Sequence, residues 1–195
     1  MKTIQQSLEL AANTLKLEVD DLQLWLDQYP GITPYTQIQA LRLAIKYELD
    51  PLSDEIGVMD HTDGYLPFIT IDGWAKLINQ HPQFAGMTFR EPAVENELPE
   101  WMECTIYRHD RLLPIVIKEY LAEVRTDHSS WQQMPRRMLR HRVIQQCARL
   151  AFGISQIDDQ MGRLNTGINS GNYLKPEPST SATQQIKELL KKPHH

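Results

Sequence analysis

The chain has 195 residues, 41% hydrophobic and 23% charged, the balance of a soluble globular protein with one domain and appended ends. Its two cysteines, Cys104 and Cys147, lack partners at metal-ligand spacing, which excludes a disulfide framework or zinc module and predicts reduced cytosolic thiols. No apolar run suits a signal peptide or membrane span, and the missing G-x-x-x-x-G-K-[ST] excludes a P-loop ATPase.

The net charge of −5 speaks against a polyanionic partner, but its distribution does not. Residues 1–127 hold 10 basic and 21 acidic side chains, whereas residues 128–157 hold 5 arginines and no acid. Local potential, not net charge, decides where a polyanion docks.

In chain order, residues 1–28 carry Leu8, Leu10, Ala11, Leu15, Leu17, Leu22, Leu24, Trp25 and Leu26, the pattern of one or two short helices. Leu22, Leu24, Trp25 and Leu26 offer more apolar surface than two short helices bury alone. Residues 1–33 are therefore expected to serve assembly, with capping of the core as the competing reading, and deleting 1–28 is expected to leave a folded protein that no longer forms large assemblies. Thr33-Pro34 opens a helix over Tyr35–Glu48, ended by Asp50-Pro51. A hairpin follows, Glu55–Met59 with Tyr65–Thr70, turned at Asp63-Gly64. Asp72 is expected as N-cap of a helix Gly73–Gln80. Strands are predicted over Met87–Arg90, Trp101–Arg108 and Leu113–Glu119. Pro135 opens the longest helix, Pro135–Phe152.

This order predicts an α+β fold, an antiparallel sheet with hairpins packed against helices, with a core over 34–160. Residues 161–195 read as a flexible linker and a short amphipathic segment, Thr183–Lys192, dispensable for whatever the core binds.

On a wheel of ~100° per residue, Leu139, Val143, Ile144, Cys147, Leu150 and Ala151 share the core-facing arc of the long helix. Arg137, His141, Arg142, Gln145 and Arg149 share the opposite arc. Arg136 and Arg140 fall on the apolar side, in the first turns, where side chains overhang the core edge. Guanidiniums grip phosphate in bidentate fashion, and a helix N-terminus favours an anion. Trp131 offers a flat face for a base. The competing readings are a solvated helix face, weakened by the lack of Glu at i±4, and for Trp131 a core role, the better reading of that residue alone.

The segment Trp131–Arg142, continuing through Gln146–Gly153, resembles the hallmark of the RecT/Bet family of phage annealing proteins. Tyr47–Pro51 with Glu55-Ile56, Ile71–Trp74 with Ile78-Asn79 and Phe84–Met87, and Cys104–Arg108 with Asp110-Arg111 resemble three further family blocks, in register over residues 36–157. The resemblance implies a non-enzymatic, oligomer-forming core that binds single-stranded DNA and pairs it with its complement without ATP, in rings or helical filaments. It carries DNA contact onto Arg136, Arg137, Arg140, Arg142 and Arg149, less directly onto His141 and Trp131, and more weakly onto Arg125. No cofactor is expected to be required, with Mg²⁺ at most a promoter of DNA binding. The implied partners are single-stranded DNA, the annealed duplex intermediate, further copies of the chain, a phage exonuclease and a host single-strand-binding protein. The implied setting is the cytoplasm of a bacterial host, with a phage or prophage gene.

Two departures stand out. Asp54 and His61 replace basic hairpin residues of the family, so the resemblance carries no DNA contact there. Only some 35 residues follow the core. Two rival functions are a passive single-strand-binding protein and a metal-dependent nuclease built on Asp50, Asp54, Glu55, Asp60, Asp63 and Asp72. Against the nuclease, Asp72 and Asp63 have local roles and no lysine is expected beside Glu55.

Overall fold

The computed structural model describes residues 3–61, 64–93 and 97–154. The expected linker and the segment Thr183–Lys192 lie outside the described residues.

Three helices open the chain: α1 (Ile4–Leu15), α2 (Val19–Asp27) and α3 (Pro34–Tyr47). A capping box starts α1, with the Thr3 hydroxyl accepting from the Gln6 N–H and the Gln6 side chain accepting from the Thr3 N–H. Thr33 caps α3 ahead of Pro34. Leu8 and Ala11 of α1, Leu22, Trp25 and Leu26 of α2, and Ala40, Leu41 and Ala44 of α3 all lie in one hydrophobic core.

This corrects the expected N-terminal apolar patch. Leu22, Trp25 and Leu26 are buried, and of that group only Leu24 remains exposed, at 64%. Two helices alone do not cover them: α2 packs on α1 and on the turn at Pro51–Ser53, α1 packs on α3, and the second half of the chain shares the same core. Deleting residues 1–28 is therefore expected to uncover the α3 face and abolish cooperative thermal unfolding, instead of leaving a folded core. Circular dichroism melting checks it.

A 3-10 turn at Pro51–Ser53 leads into the hairpin of β1 (Ile56–His61) and β2 (Gly64–Ile69), which pairs Ile56 with Ile69 and His61 with Gly64. Gly64 sits at φ 120, where a side chain would be strained. Next comes α4 (Ile71–Gln80). Its N-cap is Thr70, not Asp72: the Thr70 hydroxyl accepts from the Gly73 N–H at 3.2 Å and donates to the Asp54 carbonyl. The helix starts directly after the strand, so the cap falls two residues early, and Asp72 stands in the first turn, where the helix dipole favours it. A Cβ on Gly73 would sit 2.2 Å from the Glu55 carbonyl oxygen and 2.7 Å from Ile69 Cγ2. Since backbone cannot swing aside as a side chain can, Gly73→Ala should cost about 1–3 kcal/mol in chemical denaturation.

A separate three-stranded antiparallel sheet follows, ordered β3 (Phe84–Arg90), β4 (Trp101–Arg108), β5 (Ile115–Tyr120). β3 starts three residues before the expected Met87, and its register shifts between Phe84 and Gly86, where φ is 145. Two short helices, α5 (Leu121–Val124) and α6 (Ser129–Gln133), join the sheet to α7 (Pro135–Phe152), whose bounds agree with the sequence reading. α7 packs on β4 and β5 and also meets α4 and α6. The fold is α+β, with the antiparallel strands divided between two small sheets.

Cys104 of β4 and Cys147 of α7 are both free thiols buried where helix meets sheet. The Cys147 thiol donates to the Cys104 carbonyl at 3.4 Å. Both should resist iodoacetamide in the native protein and react on denaturation, as mass spectrometry would record.

Candidate nucleic-acid interface

The site is the N-terminal half of α7. Met134, with φ −138 and ψ 54, precedes the helix without a side-chain capping bond, and Pro135 takes the first position. The first turn contains no acid and two arginines. That placement opposes the helix dipole, which favours anions at this end. Helix stability therefore gives no reason for Arg136 and Arg137, whereas an external anion does.

Arg136, Arg137 and Arg140 are all exposed and lie one, three and four positions apart, hence on neighbouring turns. Arg136 Nη2 lies 3.4 Å from Glu91 Oε1, a half-exposed pair of small energetic weight. Among the described residues, Arg137 and Arg140 have no ion-pair partner. His141 is half-buried beside them. Burial pushes its pKa down, the charges of Arg137 and Arg140 push it further, and Asp72 of α4 opposes. His141 is therefore neutral at pH 7 and contributes a hydrogen-bonding ring, not a charge.

The other expected contacts are placed differently. Arg142 is half-buried, near enough to Glu119 of β5 to lower a carboxyl that burial raises. Arg149 is half-buried too, with Nη1 3.5 Å from Gln146 Oε1. Arg125 is exposed at the end of α5. Trp131 is 6% exposed and belongs to the core, so its ring presents no stacking face in this structure. Leu150 is exposed at 61%, and Ala148 takes the buried position, because α7 meets α4 as well as the sheet and its buried arc is rotated.

Because the folded-state pKa of His141 is depressed, the unfolded chain takes up a proton first. The resulting stability is fully present above the ordinary histidine value of ~6.5 and is lost as pH falls through the folded value. The expected outcome is a melting temperature that falls more steeply below about pH 6.5 in the parent than in His141→Gln.

Two features escaped the sequence reading. Arg108 of β4 grips Asp110 with Nε at 2.8 Å and Nη2 at 2.6 Å, donates to the Ala151 carbonyl, and lies over the Phe152 ring. It thus caps the C-terminal end of α7, where a cation complements the dipole. Second, Glu55 does have a lysine: Lys76 Nζ lies 2.6 Å from its Oε2 and donates to the Glu48 carbonyl at 3.0 Å. The Asp50 N–H also donates to Glu55, while the Asp50 carboxylate accepts from Leu52 and Ser53. These groups fasten α4 to the end of α3 and the start of the hairpin. Among the described residues, no group of three or more His, Cys, Asp or Glu is arranged to hold a metal. Nor is any helix among them long and apolar enough to cross a membrane.

The blocks singled out in the sequence converge on this architecture. Gly73 lies against Glu55, the charge of Asp72 acts on His141, and Arg108 closes α7. The RecT family model matches residues 5–167. The chain belongs to the RecT family. It is 39% identical over 171 residues to recombination protein Bet of Escherichia phage lambda, an alignment covering 78% of this chain and 63% of that relative. The chain thus spans less than two thirds of the relative's length. The RecT match runs through every element from α1 to α7, so the arginines of α7 sit within the region that defines the family.

Proposed function

We propose that this RecT-family protein binds single-stranded DNA along the first turns of α7 and anneals it to its complement without ATP, as part of an assembly of copies. The observation that carries this reading is the exposed trio Arg136, Arg137 and Arg140 at an uncapped helix N-terminus, set against the dipole in an acidic chain. Membership of a family that includes a phage recombination protein supports it.

The chemistry of annealing is that of charge, not of bonds. Two polyanions approach only when phosphates are neutralised, and counterion release drives that contact. No nucleophile or resident metal is needed. One protomer with a few arginines binds weakly, and repetition along a strand multiplies the affinity. The acidic remainder repels DNA and confines it to α7. Docking to a phage exonuclease or a host single-strand-binding protein belongs to the same reading, with the region beyond residue 160 its expected seat.

Gel analysis of end-labelled complementary strands tests the proposal. Full-length duplex forming faster with protein than without, equally with and without ATP, is the expected result. Slower pairing would identify a passive single-strand binder, and shortened strands a nuclease.

A further inference from the structure

Assembly leaves a question that the folded chain answers in part: which surfaces join copies? Most of the apolar N-terminal residues are spent in the core; Leu24, 64% exposed on the outer face of α2, and Leu10, 40% exposed on α1, are not. Asp20, Asp21 and Asp27 stand four and three residues before it and three after it, all exposed. On a helix those positions surround Leu24, so α2 presents one apolar knob ringed by carboxylates.

The reverse pattern occurs elsewhere on the same chain. A groove of about 290 Å³ between α1 and α3 is lined by Ser7, Leu10, Arg42, Ile45 and Lys46. Leu10 and Ile45 supply apolar surface, and Arg42 and Lys46, one turn apart and both exposed, supply positive charge. Leu24 of the same chain takes no part in this lining.

We infer that the α1–α3 groove receives Leu24 and its ring of aspartates from α2 of a second copy of this protein. Apolar surface meets apolar surface, and three carboxylates meet Arg42 and Lys46. Because knob and groove are different surfaces, the contact is head-to-tail. Repeated, it makes a ring if the rotation closes and a helical filament if it does not. One helix in one groove falls short of the ~1,200–2,000 Å² of a stable independent interface, so each link is weak. DNA that holds neighbours side by side raises their effective concentration and consolidates the chain of links. The inference deepens the assembly part of the proposed function and places the contact away from the exposed Arg137 and Arg140 of α7.

Charge exchange tests it. Arg42→Glu/Lys46→Glu spoils the groove and Asp20→Lys/Asp21→Lys spoils the knob, in each case at exposed positions away from α7. Light scattering and sedimentation without DNA, at low salt and at protein concentrations high enough to populate weak links, should find the wild type assembled. Each variant alone should dissociate, its association weakened about tenfold or more by like charges now facing each other. An equimolar mixture of the two variants should reassemble, since every knob then meets a groove of opposite sign. Leu24→Asp, which alters no buried contact, should dissociate the protein as an independent check.

Unchanged mass in the single variants would overturn the interface, as would failure of the mixture to reassemble or a wild type that stays monomeric at low salt. Strand pairing is read separately. Wild-type annealing with no effect of these variants on mass refutes the interface alone. Reassembly on mixing without any annealing refutes the proposed function alone.

Discussion

Replacing Arg137 and Arg140 together with alanine is expected to weaken single-stranded DNA binding at least ~10-fold, about 1.4 kcal/mol or more, without altering the melting temperature measurably. Both side chains are exposed, and neither has an ion-pair partner among the described residues, so their loss disturbs no internal contact. Removing cations from the first two turns also relieves an unfavourable interaction with the helix dipole. Two lost phosphate contacts should flatten the dependence of log affinity on log salt by about 1.4, at ~0.7 per contact on single strands. Lysine at both positions should restore the slope but not the full affinity, because it keeps the charge and loses the bidentate fork. Arg149→Ala should change the slope less, since the half-buried Arg149 is already engaged with Gln146. Fluorescence anisotropy across a salt series, with thermal melts on the same samples, distinguishes these outcomes. A slope unchanged in the double variant would remove α7 from the interface.

The largest loss of stability is expected from Trp74→Ala. Trp74 is fully enclosed, the largest wholly buried side chain among the described residues, on a helix that meets β2, β3 and α7. Emptying such a site costs about 3–5 kcal/mol. Whole-domain stability is typically ~5–15 kcal/mol, so the variant should be marginal at 37 °C. For a domain of this size the melting temperature should fall by roughly 10 °C. Differential scanning calorimetry gives the answer directly. A fall of only about 2 °C would mean that α4 does not bind the two halves of the core together.

Much of the architecture could be read before any coordinates, wherever a local signal has one physical meaning. Pro135 and Gly153 bracket α7, and Trp101–Arg108 carries Met102, Cys104 and Ile106 at alternate positions of a central strand, so both spans agree with their expected bounds. The arginine cluster was equally visible because a thirty-residue stretch without acid is a property of sequence alone.

What was not legible depended on distant contacts. The cap of α4 moved to Thr70 because β2 ends at Ile69, a matter of strand pairing. Leu22, Trp25 and Leu26 pattern as exposed apolar surface in the sequence because part of what covers them, the turn at Pro51–Ser53 included, is a tertiary neighbour. Trp131 is enclosed by the fold, and the Lys76–Glu55 pair joins residues 21 apart. The site itself was half legible. Sequence named all five arginines of α7, and only packing separated the exposed Arg136, Arg137 and Arg140 from the half-buried Arg142 and Arg149.

The central claim is that this protein brings complementary strands together by neutralising phosphate on α7. The rate of pairing between donor- and acceptor-labelled complementary oligonucleotides, followed by energy transfer at low salt without nucleotide, tests it most directly. The expected result is pairing faster than the spontaneous rate with the wild type, the same rate when ATP is added, and a rate near spontaneous with Arg137→Ala/Arg140→Ala. Pairing no faster than spontaneous with the wild type, pairing only when ATP is present, or full acceleration by the double variant would contradict it.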